Sequence, residues 1–123
     1  MPRPAIEDYP SAYQRYIRLV PEEELFYAFE QQDAALQTFL KLIPEEKAGY
    51  AYAAGKWTVR QLLQHIIDTE RIMAHRALWF ARHHEAPLPG FDEDAFAQVA
   101  TAFNRSIDSL AAELMTCLLY TSP

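Results

Sequence analysis

The stretch KWTVRQLLQHIIDTERIMAHRALWFARHH, residues 56–84, decides the class of fold. Its apolar residues recur at the spacing of three and four that places side chains along one stripe of an α-helix. The members of that stripe are Val59, Leu62, Leu63, Ile66, Met73, Ala77 and Phe80. Thr58 stands just before them, where a threonine caps a helix N-terminus. The pattern predicts a helix from about Val59 to His84.

A second helical pattern precedes this one. Residues 20–46, VPEEELFYAFEQQDAALQTFLKLIPEE, begin with Pro21 and three glutamates, which suit the positive end of a helix dipole. The pattern closes before Pro44. The predicted inner face of this helix consists of Leu25, Phe29, Leu36, Phe39, Leu40 and Ile43.

A third helical pattern follows a loop. EAPLPGFDEDAFA, residues 85–97, contains two prolines and the last glycine of the chain, and Asp92 is expected to cap a short turn there. A helix is then predicted from about Phe96 to Leu119, with an inner face of Val99, Phe103, Ile107, Leu110 and Leu114. Because no alternation of period two is sustained anywhere, the predicted fold class is all-α.

Composition limits the classes of function. The 123 residues are expected to form one domain, 1–123, with a net charge of −6. The basic residues are scattered, which argues against nucleic acid as a partner. Polar residues interrupt every apolar run, so no membrane span is expected. The single Cys117 has no disulfide partner and the N-terminus lacks a secretory pattern, so a cytoplasmic location is expected.

The C-terminal segment differs from the helix before it. CLLYTSP, residues 117–123, follows the regular amphipathic run SIDSLAAELM without a polar face or capping chemistry. Three amphipathic helices also leave apolar stripes that usually close in fours. We therefore expect that the sequence is truncated before a fourth helix and that the tail is not native. Such a chain is expected to dimerise, to bind a hydrophobic dye or to unfold with poor cooperativity.

His65 lies on the flank of the apolar stripe of the central helix. In one interpretation it is a flank histidine paired with Asp68, three residues further on. In the other it is a metal ligand, which requires further ligands because metal sites use three or four. Glu70 projects toward the apolar stripe, so it needs an arginine from another helix, a bound cation or a polar cavity. Spacing alone leaves these interpretations open.

The remaining candidates fit structural roles. His75, His83 and His84 are interpreted as surface or capping residues, since cations suit the C-terminal end of a helix dipole. Trp57 is expected to act as a hydrophobic staple rather than as a platform for a ligand. The sequence contains no Gly-rich phosphate loop, no HExxH, no CxxC and no GxSxG.

Three segments together resemble the DinB-like family, the damage-inducible and YfiT-like proteins. They are GKWTVRQLLQHIIDTERI (55–72), HRALWFAR (75–82) and PLPGFDEDAFA (87–97), and the lead-in YPSAYQRYIRLVPEEELFYAFEQQ (9–32) is similar to one bacterial branch. The resemblance covers residues 9 to about 115. Its most specific part is the tryptophan, the Thr-Val turn and the His-x-x-Asp of the central helix. It implies a four-helix bundle of which three main helices are present.

The resemblance also implies a divalent metal, often zinc or nickel, held by three histidines. His65 matches the ligand from the second family helix, and Asp68 matches the acidic residue that follows it. The other two family histidines form an H-x-x-x-H on the last helix, for which this sequence has no counterpart. Glu70 and Arg76 are candidates for the pocket lining, with residues 89–91 at its rim.

The family's activities imply transfer of a low-molecular-weight thiol, such as bacillithiol, mycothiol or glutathione, to a small electrophilic substrate, or a related hydrolysis. A metal with an open coordination position would bind the thiol and lower its pKa. The alternative is a non-catalytic helical-bundle module without a complete metal site. With one histidine of three, the chain as given is expected to bind metal weakly or not at all.

Overall fold

The computed structural model describes residues 3–83, 85–100 and 104–121, with side chains up to Leu118. Five α-helices lie within these ranges: α1 (Gln14–Ile17), α2 (Leu25–Lys41), α3 (Val59–Ala81), α4 (Glu93–Ala100) and α5 (Ile107–Thr121). Short 3-10 turns occur at Ile6–Asp8, Ser11–Tyr13 and Glu45–Lys47. The described ranges contain no β-strand, so the predicted all-α class is confirmed.

The central helix α3 begins where its cap predicts. The hydroxyl of Thr58 accepts a hydrogen bond from the backbone N–H of Gln61 at 3.2 Å, and the side-chain carbonyl of Gln61 accepts one from the backbone N–H of Thr58 at 2.9 Å. This reciprocal capping box satisfies two backbone donors at the helix start. The helix ends at Ala81, earlier than predicted. His83 has a φ of 51°, which is incompatible with a right-handed α-helix. His84 lies outside the described residues.

The predicted third helix, from Phe96 to Leu119, is wrong as one continuous element. Two helices occupy that part of the chain: α4 starts earlier, after Asp92 accepts a hydrogen bond from the backbone N–H of Ala95 at 3.0 Å, and α5 starts at Ile107. Before α5, Asn104 has a φ of 41°, and the Ser106 hydroxyl accepts from the N–H of Ser109 at 3.1 Å. These are turn and cap conformations, which interrupt a helix whatever its apolar period.

The described core lies between α3, α5 and the C-terminal end of α2. Its buried members are Leu40, Ala48, Leu63, Ile67, Ile107, Leu110, Leu114 and Leu118. α4 packs on another face of α3, where the Gln61 side chain donates a hydrogen bond to the carbonyl of Ala97 at 2.9 Å. α3 is therefore the helix that the other elements share.

The inner face predicted for α2 is only partly correct. Leu40 is buried, and Leu36 and Ile43 pack against the core, but Phe39 is 57% exposed. Leu25 is also exposed, at the start of the helix. The C-terminal half of α2 therefore supplies its buried contribution to the core. No helix among the described residues is both long and apolar enough to cross a membrane.

Candidate functional site

The imidazole of His65 projects from the first half of α3. Its Nδ1 atom is buried and has no hydrogen-bond partner among the described residues. The hydroxyl oxygen of Thr69, one turn further along, is buried in the same unpaired state. Because a buried polar atom without a partner is costly, these two atoms mark a place where an additional group would lower the free energy.

Trp57 covers the His65 ring. The two ring centroids are 4.8 Å apart and the planes are inclined by 52°. The indole N–H of Trp57 also donates a hydrogen bond to the Asp94 carboxylate of α4 at 3.1 Å. Trp57 therefore connects the histidine to α4, a role that its expected use as a hydrophobic staple did not include.

Asp68 is held by a different neighbour from the one that its spacing suggested. Its carboxylate accepts a hydrogen bond from the Gln64 side chain at 2.9 Å. Within the described part of the chain, no hydrogen bond joins Asp68 to His65. Asp68 instead lines a cavity of about 430 Å³ between α3, α4 and α5.

That cavity carries a charged cluster that the sequence patterns did not indicate. The carboxylate of Glu113 on α5 pairs with the guanidinium groups of Arg71 and Arg105. Arg105 also donates to the Gln64 side chain at 3.3 Å, which brings α3 into the cluster. The partners lie up to 42 positions apart, Arg71 being at 71 and Glu113 at 113. The spacing of residues within one helix cannot predict contacts between residues so far apart in the sequence.

Glu70 lies partly buried on α3. Neither an arginine nor any other hydrogen-bond or ion-pair partner reaches it among the described residues. Burial raises the pKa of the Glu70 carboxyl, because desolvation disfavours its charged form. The partner that the sequence pattern predicted for Glu70 is therefore not found in the described ranges, and its carboxyl is partly buried without an opposite charge beside it.

We expect replacing Glu70 with glutamine to change how stability depends on pH. The carboxyl binds its proton more tightly in the folded chain, so the unfolded chain loses its proton first as pH rises, and the free energy of unfolding falls. Relative to the native chain, Glu70→Gln should therefore gain stability as pH rises from the ordinary glutamate value of 4.5 through the raised value. Urea unfolding of both chains between about pH 4 and pH 7 measures this difference. A difference that stays constant or falls with pH would contradict it.

Arg76 and the predicted rim lie together, apart from His65. The Arg76 guanidinium donates a hydrogen bond to the carbonyl of Pro89 at 3.0 Å. Both residues, with Gly90 and Phe91, line a cavity of about 350 Å³ that His65 does not line. His75 also lines it, with its ring 4.3 Å from that of Trp79. Arg76 and the predicted rim therefore share one cavity, which neither His65 nor Glu70 lines.

Comparison with known families decides the relationship. The family model of the DinB superfamily matches residues 28–118. The chain belongs to the DinB superfamily. Neither the comparison with curated proteins nor the comparison with solved structures gives a match.

The DinB match allows the residues to be tested against the implied metal. His65 suits a ligand because its buried Nδ1 has no competing hydrogen bond. A protein zinc site needs three or four ligands. Among the described residues, however, no group of three histidine, cysteine, aspartate or glutamate side chains could hold a metal ion. The fit is therefore that of one donor in this DinB chain, not of a complete site.

Proposed function

We propose that this DinB superfamily protein binds a divalent ion through His65 and uses it in thiol-dependent transfer or a related hydrolysis. The observation that carries the proposal is the unpaired, buried Nδ1 atom of His65 beside the family's tryptophan. A helix-borne imidazole with no internal partner is a donor that the fold keeps available. Zinc and nickel both accept imidazole nitrogen, so either ion suits this donor.

The protein's own residues would orient the metal ligand and the substrates rather than react with them. Packing against Trp57 fixes the plane of the His65 ring, and the Asp94 carboxylate fixes Trp57 in turn. Asp68 would shape the polar side of the site and Glu70 would face the space for substrates, whereas Arg76 lines a separate cavity. When bound, a divalent ion with an open position lowers the pKa of a thiol and so favours the thiolate. The partners would be a low-molecular-weight thiol and a small electrophile.

A second function has its own support. Among the described residues His65 lacks companions that could complete a metal site. A DinB-type bundle without a complete site would act as a non-catalytic helical module. The two functions differ in what the protein does with zinc.

Zinc titration by calorimetry tests the proposal on a version of the chain that also carries the H-x-x-x-H implied by the resemblance. Replacing His65 with alanine removes one of three expected ligands and should weaken binding by several kcal/mol, since structural zinc binding totals roughly 10–16 kcal/mol. His83→Ala is the matched control, because His83 lies beyond the end of α3 and is exposed. The control variant should bind as the native protein does.

The 123 residues alone form the second arm of the test. With one available imidazole they should bind zinc weakly, and His65→Ala should change that little. Tight binding that survives His65→Ala would overturn the role of His65. Weak zinc binding by the version with all three histidines would overturn the metal-dependent function and favour the non-catalytic module.

A further inference from the structure

A cavity of about 500 Å³ lies in front of the N-terminus of α3. Three aromatic side chains line it: Tyr50, Tyr52 and Trp57. The two tyrosines are 55% and 74% exposed, respectively. Two exposed tyrosines and a tryptophan that share one cavity present ring surface to whatever enters it.

The loop that carries the tyrosines is fixed to the helix. The backbone N–H of Val59 donates to the carbonyl of Tyr50 at 3.0 Å, and that of Arg60 donates to the carbonyl of Ala48 at 3.0 Å. The loop turns at Gly55, whose φ of 73° is a left-handed conformation that glycine adopts without strain. The loop backbone next to Tyr50 is therefore fixed to α3 before any ligand binds.

One carboxylate lies at the cavity beside the rings. Asp94 lines it, and one carboxylate oxygen accepts the hydrogen bond from the Trp57 indole at 3.1 Å. The other oxygen has no partner among the described residues. One of these rings already makes a cation–π contact within the chain. The Lys47 ammonium lies over the Tyr50 ring, 5.3 Å from its centroid. Lys47 is not among the residues that line the cavity.

The helix N-terminus does not make this cavity an anion site. Its first two backbone donors, those of Val59 and Arg60, already bond to the loop. The next two, those of Gln61 and Leu62, donate to the hydroxyl and the carbonyl of Thr58. No free donor is left in the first turn to receive an anion. The remaining charged groups of the lining are Asp94 and the exposed Lys56.

We propose that this cavity binds an organic cation of the quaternary-ammonium class. Aromatic rings attract such cations through their negative faces, and the exposed Asp94 carboxylate adds an opposite charge beside them. The combination favours a bulky, weakly hydrated cation over a small, strongly hydrated one. This inference does not use His65 and goes beyond the proposed metal-dependent function.

The test compares choline with its neutral isostere, 3,3-dimethylbutan-1-ol. Binding is followed by NMR through the indole N–H signal of Trp57, which is assigned with Trp79→Phe. Choline should shift that signal in a saturable way. The isostere should bind about 2- to 30-fold more weakly, the range that corresponds to cation–π energies from exposed to desolvated sites. Equal binding of both compounds, or a signal that neither shifts, would overturn the proposal.

Three variants locate the site. Asp94→Asn removes the charge but keeps an acceptor for Trp57, and it should weaken choline binding several-fold. Glu93→Gln is the matched control, because it changes the same charge in the same turn of α4 at a residue outside the cavity lining. It should leave binding nearly unchanged.

Lys56→Gln separates a cation site from an anion site. Removing this ammonium should leave choline binding unchanged or strengthen it, since the two positive charges repel. Loss of binding on Lys56→Gln, or equal losses on Asp94→Asn and Glu93→Gln, would overturn the assignment.

Discussion

Replacing Ile67 with alanine should lower the free energy of unfolding by about 2–5 kcal/mol, the range for truncating a large buried aliphatic side chain. Ile67 is fully buried at 0% exposure, in the core formed by α3 and α5. Its loss removes apolar contact area and leaves a cavity that the two helices fill only in part. Urea unfolding followed by circular dichroism measures the change, which should appear in the midpoint with little change in the slope.

Ile6→Ala is the matched control for this prediction. Ile6 undergoes the same chemical change, but it is 70% exposed. The free energy of unfolding of the Ile6→Ala variant should stay within about 0.5 kcal/mol of the native value, as for most surface substitutions. If Ile67→Ala cost no more than Ile6→Ala, the packing of α3 against α5 would be wrong.

Replacing Arg105 with alanine should cost about 1.5–3 kcal/mol, the range for hydrogen bonds to charged groups. Its guanidinium donates to the carbonyl of Ser109 at 3.0 Å and to the Gln64 side chain, and it pairs with Glu113. The substitution would leave Glu113 with Arg71, which is more exposed than Arg105. The Arg105 side chain thus joins the start of α5 to the first half of α3.

A double-mutant cycle tests this second prediction. Arg105→Ala and Glu113→Gln should cost less together than the sum of the two single changes, by about 0.5–3 kcal/mol, because they share one network. Arg15→Ala is the control, since Arg15 is an exposed arginine whose hydrogen bond and cation–π contact are both with the neighbouring Tyr16. Additive costs for Arg105 and Glu113 would show that the ion pair contributes nothing measurable.

Local signals predicted the elements whose causes are local. The start of α3 follows from Thr58 and Gln61, three residues apart, which bond to each other whatever the rest of the chain does. The same reasoning failed after α4, because the apolar spacing continued through a segment that turns. Asn104 and Ser106 carried the signal for that turn, as residues that favour left-handed and capping conformations.

The candidate site was less accessible to sequence reasoning. Periodicity indicated that His65 borders the core and that Glu70 is partly buried, since both depend on position around one helix. It could not show the contact of Trp57 with His65, or the bond from Trp57 to Asp94, which is 37 residues away. Such contacts depend on how the loops place one helix against another. The spacing of residues along a single helix does not predict that placement.

The position of α5 in the core sets the order of events during synthesis. Half of the eight buried core residues, Ile107, Leu110, Leu114 and Leu118, belong to α5, which leaves the ribosome after α2 and α3. Until then, the only core residues available to pack against Leu63 and Ile67 are those that precede α3, such as Leu40. α3 can form its capped first turn early, but its packed face waits for residues some 40 positions later in the chain, as in folds that depend on distant contacts. The nascent chain is therefore most exposed to aggregation and to chaperones in the interval before α5 emerges.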